Sequence, residues 1–208
     1  MAVDSGVSES MGSRTSLLIL RHGQTPWNAA GIWQGQANPG LTDLGREQAH
    51  AAAAALIAMP ERPWRRIVAS DLARADETAR IVADALSLPL EFDARLRERD
   101  VGFWSGKSKA DIEREDGETL EAFYASDPNV RPGGGESTHD LRRRAFAAIT
   151  AIQETWPGEE TILVTHLGWI RSLVPGAEVS NAGRLALVAE EILSEPIEAT
   201  ASVGRGLL

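Results

Sequence analysis

No cysteine occurs among the 208 residues, which excludes disulfide scaffolds, zinc ribbons, iron–sulfur centres and thiol nucleophiles. Positive charge is scarce: 21 Lys+Arg stand against 30 Asp+Glu, a formal net charge of −9, so the chain is not built to coat nucleic acid. No stretch approaches the roughly 20 apolar residues of a membrane span. The longest soft run, Ala51 to Met59, follows Arg46, Glu47, Gln48 and His50 and reads as an alanine-rich helix. Residues 1–14 lack a basic start and a central apolar block, so they read as a mobile tail rather than a secretory signal, and the cytoplasm is the default compartment. With 43% apolar and 25% charged residues, the remainder, 15–208, has enough material for a single domain that buries roughly 70% of its unfolded surface.

Four short apolar runs read as strands: Ser16 to Leu20, Arg66 to Ala69, Leu88 to Phe92 and Thr161 to Thr165. Helical stretches lie between them. Thr42 to Ala58 has Thr42 as N-cap, Leu72 to Leu86 follows the second run, and Asp140 to Glu154 is preceded by Ser137 at capping-box spacing from Asp140. Alternating strand and helix predicts an α/β fold, a three-layer α/β/α sandwich with a mostly parallel central sheet, whose ligand site lies beyond the carboxyl ends of the strands. Asp127 to Glu136, with Pro128, Pro132 and three consecutive glycines, is read as a loop within one domain, because the helix after it needs the earlier sheet to bury its apolar face. After Val174 the pattern weakens, and from Pro196 onward no element is assigned.

The first strand runs straight into Arg21-His22-Gly23, and the run Thr161 to Thr165 ends in His166-Leu167-Gly168. Two of the four histidines thus occupy equivalent strand ends, and in a parallel sheet both point into one crevice. Arg74 falls in the first turn of a helix, where a cation opposes the helix dipole unless it meets an anion or a carboxylate. It either pairs at the surface with Asp71 or Glu77, or joins Arg21 and the histidines in a pocket for a tetrahedral dianion such as phosphate. Glu98, amid Arg95, Arg97, Arg99 and Asp100, reads on its own as one charge in a solvated run. His50 and His139 read as solvent-facing, and metal ligation by His22 and His166 lacks a third ligand at any evident spacing. Of the six tryptophans, Trp27, Trp33, Trp104 and Trp169 are the candidates to line a cleft.

Arg21-His22-Gly23-Gln24-Thr25 with Trp27-Asn28, then Leu41-Thr42-Asp43-Leu44-Gly45, then Ser70-Asp71-Leu72-Ala73-Arg74 together resemble the histidine phosphatase superfamily. Leu96-Arg97-Glu98, Gly102 to Gly106, Gly133 to Ser137 and Val164-Thr165-His166 continue the resemblance in the family's order, from residue 16 to about 173. The most similar branch contains cofactor-dependent phosphoglycerate mutases and their small phosphatase relatives. Position by position, the resemblance implies that His22 is the nucleophile that forms a phosphohistidine. Arg21, Arg74 and His166 would hold the phosphoryl oxygens with Asn28 assisting, and Glu98 would be the proton donor. Gln34 and Gly35 resemble the loop that touches the substrate beyond its phosphate, and the Gly133 to Glu136 run would shape the pocket rim or act as flexible linkage.

The chemistry of these residue types fits those roles. A neutral imidazole attacks phosphorus if its other nitrogen is fixed by an acceptor, and cations stabilise the spreading phosphoryl charge. No metal and no other cofactor is required. The expected partner is a small phosphate ester, with neither nucleic acid nor membrane, and a homodimer is left open. One departure stands out: the family usually has two glycines after the second histidine, and here Leu167 takes the first place. The segment Gly168 to Val174 is also soon interrupted by Pro175-Gly176, which shortens a helix that helps wall the site in relatives. Three functions remain open: a phosphomonoester hydrolase, a phosphoglycerate mutase, and a non-catalytic phosphate-binding module. The compact length favours hydrolysis, and the presence of both His22 and Glu98 argues against the module.

Overall fold

The period-two alternation of the apolar runs divides the sheet between two cores. Leu17 and Ile19 face one and Leu18 and Leu20 the other; Val68 and Leu163 join the first, Ile67, Ile162 and Val164 the second. In the computed structural model, which describes residues 14–61 and 63–196, the strands are β1 (Ser16–Arg21), β2 (Trp64–Ala69), β3 (Leu90–Phe92), β4 (Glu160–Thr165) and β5 (Arg184–Val188). They form one sheet in the order β3-β2-β4-β1-β5, parallel except for β5, which runs antiparallel to β1. Of the tail expected over residues 1–14, only Arg14 is among the described residues, as are none of 197–208.

The helices are α1 (Pro26–Ala29), α2 (Asp43–Ile57), α3 (Ala73–Leu86), α4 (Lys109–Tyr124), α5 (Thr138–Thr155), α6 (Leu167–Leu173) and α7 (Ala189–Leu193). Small side chains on α2 and α3, among them Ala52, Ala53, Ala75, Ala79 and Ala83, let both helices lie close on one face of the sheet. Helices α5, α6 and α7 cover the other with Leu141, Phe146, Ile149, Ile170 and Ile192. This is the three-layer α/β/α architecture expected from the sequence. The caps are also as expected: Thr42 Oγ1 accepts from Gly45 N–H at 3.0 Å, and Ser137 and Asp140 close a capping box at the start of α5. Among the described residues no helix is long and apolar enough to cross a membrane.

Helix α6, at seven residues, is as short as the Pro175-Gly176 interruption implies. Two elements lie outside the sequence expectation, the first being strand β5, in the stretch where the pattern weakens. Helix α4 was not anticipated; its apolar positions are sparse, with Ile112 and Leu120 its buried residues, and Asp116 at φ −152° interrupts it. That kink lets Asp116 Oδ2 accept from Trp104 Nε1 at 2.7 Å. Helix α4 builds a satellite core of Val101, Trp104, Ile112 and Leu120 against Trp33 and Phe123. The Gly133 to Gly135 run docks on this unit: a Cβ on Gly102 would meet Gly133 O at 1.9 Å and one on Gly135 would meet Asp100 O at 2.2 Å. It is a packed loop, neither pocket rim nor flexible linkage.

The loop after β1 is held to α2 by direct backbone contact. A Cβ on Gly23 would lie 2.3 Å from Gly45 O, and one on Gly45 would lie 2.1 Å from Gln24 O, while Thr42 N–H donates to Gln24 O at 2.9 Å. Gly23→Ala is therefore expected to destabilise the protein by roughly 3 kcal/mol, lowering the melting temperature by about 6–12 °C. Gly117→Ala, on α4 with nothing within 4 Å of the added Cβ, is the matched control and should be neutral or slightly stabilising. Equal melting temperatures for the two variants would show that the Gly23–Gly45 contact relaxes without cost.

Candidate active site

Strand pairing brings the two histidines together. Strands β1 and β4 are parallel neighbours with Arg21 opposite Thr165, so the next residues, His22 and His166, leave the sheet side by side with ring centroids 5.1 Å apart. His22 is 2% exposed, and its Nδ1–H donates to Gly23 O at 2.7 Å. That bond fixes the tautomer and leaves Nε2 as the acceptor, where it receives the Arg74 Nε–H at 3.3 Å. Burial first, and then the Arg74 and Arg21 charges, hold the His22 pKa well below its ordinary value, outweighing the Gly23 bond. The ring is neutral at physiological pH.

Arg74 is 1% exposed, so it is not a surface partner of Asp71 or Glu77. Asp71 pairs instead with Arg97 at 2.6 Å, and Glu77 with Arg46 at 2.6 Å. The Arg74 guanidinium donates to Ala37 O at 2.7 Å and Gly35 O at 2.8 Å, tying α3 to the loop that carries Gln34 and Gly35. Burial draws its pKa down to about 10, partly offset by Glu98, and it stays charged. Arg21 Nη1 donates to Val179 O at 2.7 Å, while its Nε is buried without a partner. His166 Nε2 meets Ser70 Oγ at 2.9 Å, and His166 Nδ1 is likewise buried and unpartnered. Such orphaned polar atoms are costly unless a ligand answers them.

Glu98 is held by backbone. Its Oε1 accepts from Arg99 N–H at 2.8 Å and its Oε2 from Gly168 N–H at 3.2 Å. A Cβ on Gly168 would stand 2.2 Å from Glu98 Oε1, which explains why glycine is needed there while Leu167, one place earlier, packs its side chain against the core under α5 and α6. The segment bearing Glu98 is clamped by Arg144 of α5, which donates to Arg95 O and Arg97 O, each at 2.8 Å, and to Glu98 O at 3.1 Å. Arg144 is itself paired with Glu136 at 2.7 Å. Glu98 is therefore not one charge in a solvated run, and Glu136 is a structural partner of the clamp.

These groups converge on a cavity of about 380 Å³. Arg21, His22, Asn28, Gln34, Gly35, Arg74, Glu98 and Leu167 line it, whereas His166, wholly buried beside His22, is not among the wall residues. Asn28 Oδ1 is occupied by Thr25 N–H at 3.1 Å and Asn181 Nδ2 at 3.3 Å, and its own amide hydrogens have no partner among the described residues. Gln34 Oε1 accepts from Thr25 Oγ1 at 2.9 Å. Of the candidate tryptophans only Trp33 lines the cavity; Trp104 and Trp169 are wholly buried in the cores. Sequence reasoning missed Arg99, Arg171, Ile32, Phe123 and Tyr124, which complete the wall. Four arginines thus face one carboxylate in a protein of net charge −9, a focused positive field for an anionic ligand. Among the described residues no cluster of three or more His, Asp or Glu is arranged to hold a metal ion.

The chain is similar to known proteins. A metal-independent phosphoserine phosphatase from Arabidopsis thaliana is 37% identical over 174 residues, covering 82% of this chain and 72% of the relative. Phosphoglycerate mutase-like protein 4 from the same plant is 37% identical over 166 residues, covering 79% and 71%. Among solved structures, a mycobacterial glucosyl-3-phosphoglycerate phosphatase in complex with VO3 superposes with a TM-score of 0.75 at 31% identity, covering 83% of this chain and 90% of the other. The model of the histidine phosphatase superfamily (branch 1) matches residues 17–188, from the first strand through the last, and the chain belongs to that superfamily.

Proposed function

We propose that the protein hydrolyses phosphomonoesters of small metabolites in two steps through a phosphohistidine at His22. The observation that carries this reading is the tautomer: Nδ1–H is committed to Gly23 O, so Nε2 is the nucleophilic atom, and it opens on the arginine-lined cavity. When the ester binds, a phosphoryl oxygen takes over the Arg74 Nε–H that otherwise rests on His22 Nε2. Arg21 Nε and the Asn28 amide supply the remaining donors, with His166 packed beside His22. Nε2 then attacks phosphorus as the ester P–O bond breaks, and the leaving oxygen takes a proton from Glu98. In the second step Glu98, now a carboxylate, removes a proton from water. The water oxygen attacks phosphorus, the N–P bond breaks, and free phosphate leaves with His22 neutral and Glu98 protonated again. The charge that develops on the imidazole is met by Gly23 O, and that on the phosphoryl oxygens by the arginines. The cytoplasm is the compartment proposed, since charged phosphate esters are retained there.

Rapid mixing with a phosphorylated substrate and quenching in base, where phosphohistidine survives, tests the reading. The expected result is one phosphate on His22 by peptide mass spectrometry, lost on acid treatment, with turnover unchanged by a metal chelator. Release of phosphate with none trapped on His22 would sink the covalent route. An isomerised ester formed faster than free phosphate would replace hydrolysis by the mutase reaction.

A further inference from the structure

The carbonyl that selects the nucleophilic nitrogen of His22 is itself held from behind. Gly23 C=O, which accepts from His22 Nδ1–H at 2.7 Å, belongs to the same planar peptide group as Gln24 N–H, which donates to the side-chain Oε1 of Gln48 at 2.9 Å. Because a backbone N–H can only donate, the Gln48 amide must present its oxygen. Gln48 is half-buried on α2, one turn after Gly45, so the close Gly23–Gly45 contact that docks the helix also delivers this side chain to the peptide. On the other flank of Gly23, its own N–H donates to Thr78 Oγ1 at 3.1 Å, and Thr78 Oγ1 donates to Arg74 O at 2.7 Å. Both peptides around Gly23 are anchored, and the carbonyl cannot swing away from the ring.

Hydrogen bonds at the two ends of one peptide group strengthen each other, since an engaged N–H loads electron density onto the carbonyl oxygen. His22 needs that density at one moment in particular. When Nε2 bonds to phosphorus the ring becomes cationic and its Nδ1–H a stronger donor, so a better acceptor at Gly23 O favours the transition state more than the resting enzyme. The other titratable and charged groups around the ring are Arg21 of β1, Arg74 of α3, His166 after β4 and, in the same cavity, Glu98. Both arginines oppose positive charge on the ring. We infer that Gln48 is a positioning residue for phosphoryl transfer, acting on His22 through the Gly23–Gln24 peptide from outside the cavity wall. This inference rests on the phosphohistidine reading and adds to it a residue that touches no substrate.

Three variants separate the acceptor from mere loosening of the helix. Gln48→Leu removes the acceptor at similar size, Gln48→Glu keeps an oxygen in its place, and Thr42→Ala cuts the α2 cap together with a second grip on Gln24, the Thr42 Oγ1 bond to Gln24 Oε1 at 3.1 Å. The His22 Nδ1–H proton resonance is read by NMR on the free protein with isotope-labelled histidine, and is identified by its loss in His22→Ala. It should move upfield in Gln48→Leu, stay or move downfield in Gln48→Glu, and hold its place in Thr42→Ala. Single-turnover phosphorylation of His22 by 4-nitrophenyl phosphate should slow roughly tenfold in Gln48→Leu, with substrate affinity nearly unchanged, and recover in Gln48→Glu. An unmoved resonance in Gln48→Leu overturns the inference, as does an equal loss of rate in Thr42→Ala or in Gln48→Glu. Phosphate trapped on His22 at the wild-type rate in Gln48→Leu overturns it too and leaves the phosphatase reading intact. A resonance that responds as expected in a protein that traps no phosphate sinks the phosphatase reading, while the hydrogen-bond chain stands.

Discussion

Arg74→Lys is expected to lower kcat/KM for 4-nitrophenyl phosphate by roughly 100- to 1,000-fold, although it keeps the positive charge. The guanidinium makes three directed contacts at once, to Ala37 O, Gly35 O and His22 Nε2, and an ammonium on a shorter stem cannot span them. The substrate loop at Gln34 and Gly35 loses its latch, and the phosphoryl group loses a planar pair of donors. Burial adds a second penalty. It already draws Arg74 down to about 10, and an ammonium starts about two units lower than a guanidinium, so the same burial brings lysine's titration into the assay range. The residual activity of the variant should then fall further as pH rises from 7 to 9, because the cationic form is lost above its pKa. Wild-type activity in Arg74→Lys, or a residual rate that does not fall with pH, would remove Arg74 from the phosphoryl group.

Much of this site was legible before the structure because its parts sit where the chain leaves regular elements. The β1 and β4 runs end directly in His22 and His166, and parallel pairing turns two distant positions in sequence into neighbours. The Ser137–Asp140 box and the Thr42 cap are local hydrogen-bond patterns, so spacing alone reveals them. Helix α4 was invisible for the opposite reason: its stability comes from Ile112, Leu120 and the Trp104–Asp116 bond to a satellite core, contacts that leave little periodicity in the sequence. Strand β5 is short and has one buried residue, Leu187, so alternation is faint. The dual reading of Arg74, surface pair or anion clamp, turned on burial, which depends on the packing of α3 against the loop at Gly35. Arg144 and Glu136 illustrate the same limit. Arg144 bonds the backbone of residues 95 to 98 and Glu136 that of Asp100, joining segments some 36–49 positions apart, and no local pattern announces them.

Glu98→Gln should separate the two chemical steps. An alkyl alcohol leaves poorly unless it receives a proton, whereas 4-nitrophenolate departs unprotonated, so loss of the acid should slow sugar or acid phosphates by roughly 100- to 10,000-fold and the first step with the nitrophenyl ester far less. The structure adds a geometric cost. Both carboxylate oxygens accept backbone hydrogens, from Arg99 N–H and Gly168 N–H, and an amide must turn its NH2 towards one of those donors. Glu98→Ala removes the acid without that conflict and serves as the second variant. In both, the activated ester should still phosphorylate His22, but water lacks its base in the second step. A burst of nitrophenolate followed by slow turnover should appear, with acid-labile phosphate accumulated on His22. Equal losses for alkyl and nitrophenyl esters in both variants, with no burst and no trapped phosphate, would remove Glu98 as the acid. Glu136 would be no substitute, since its carboxylate is taken by Arg144 and Asp100 N–H, and the proton would have to come from the substrate or from solvent.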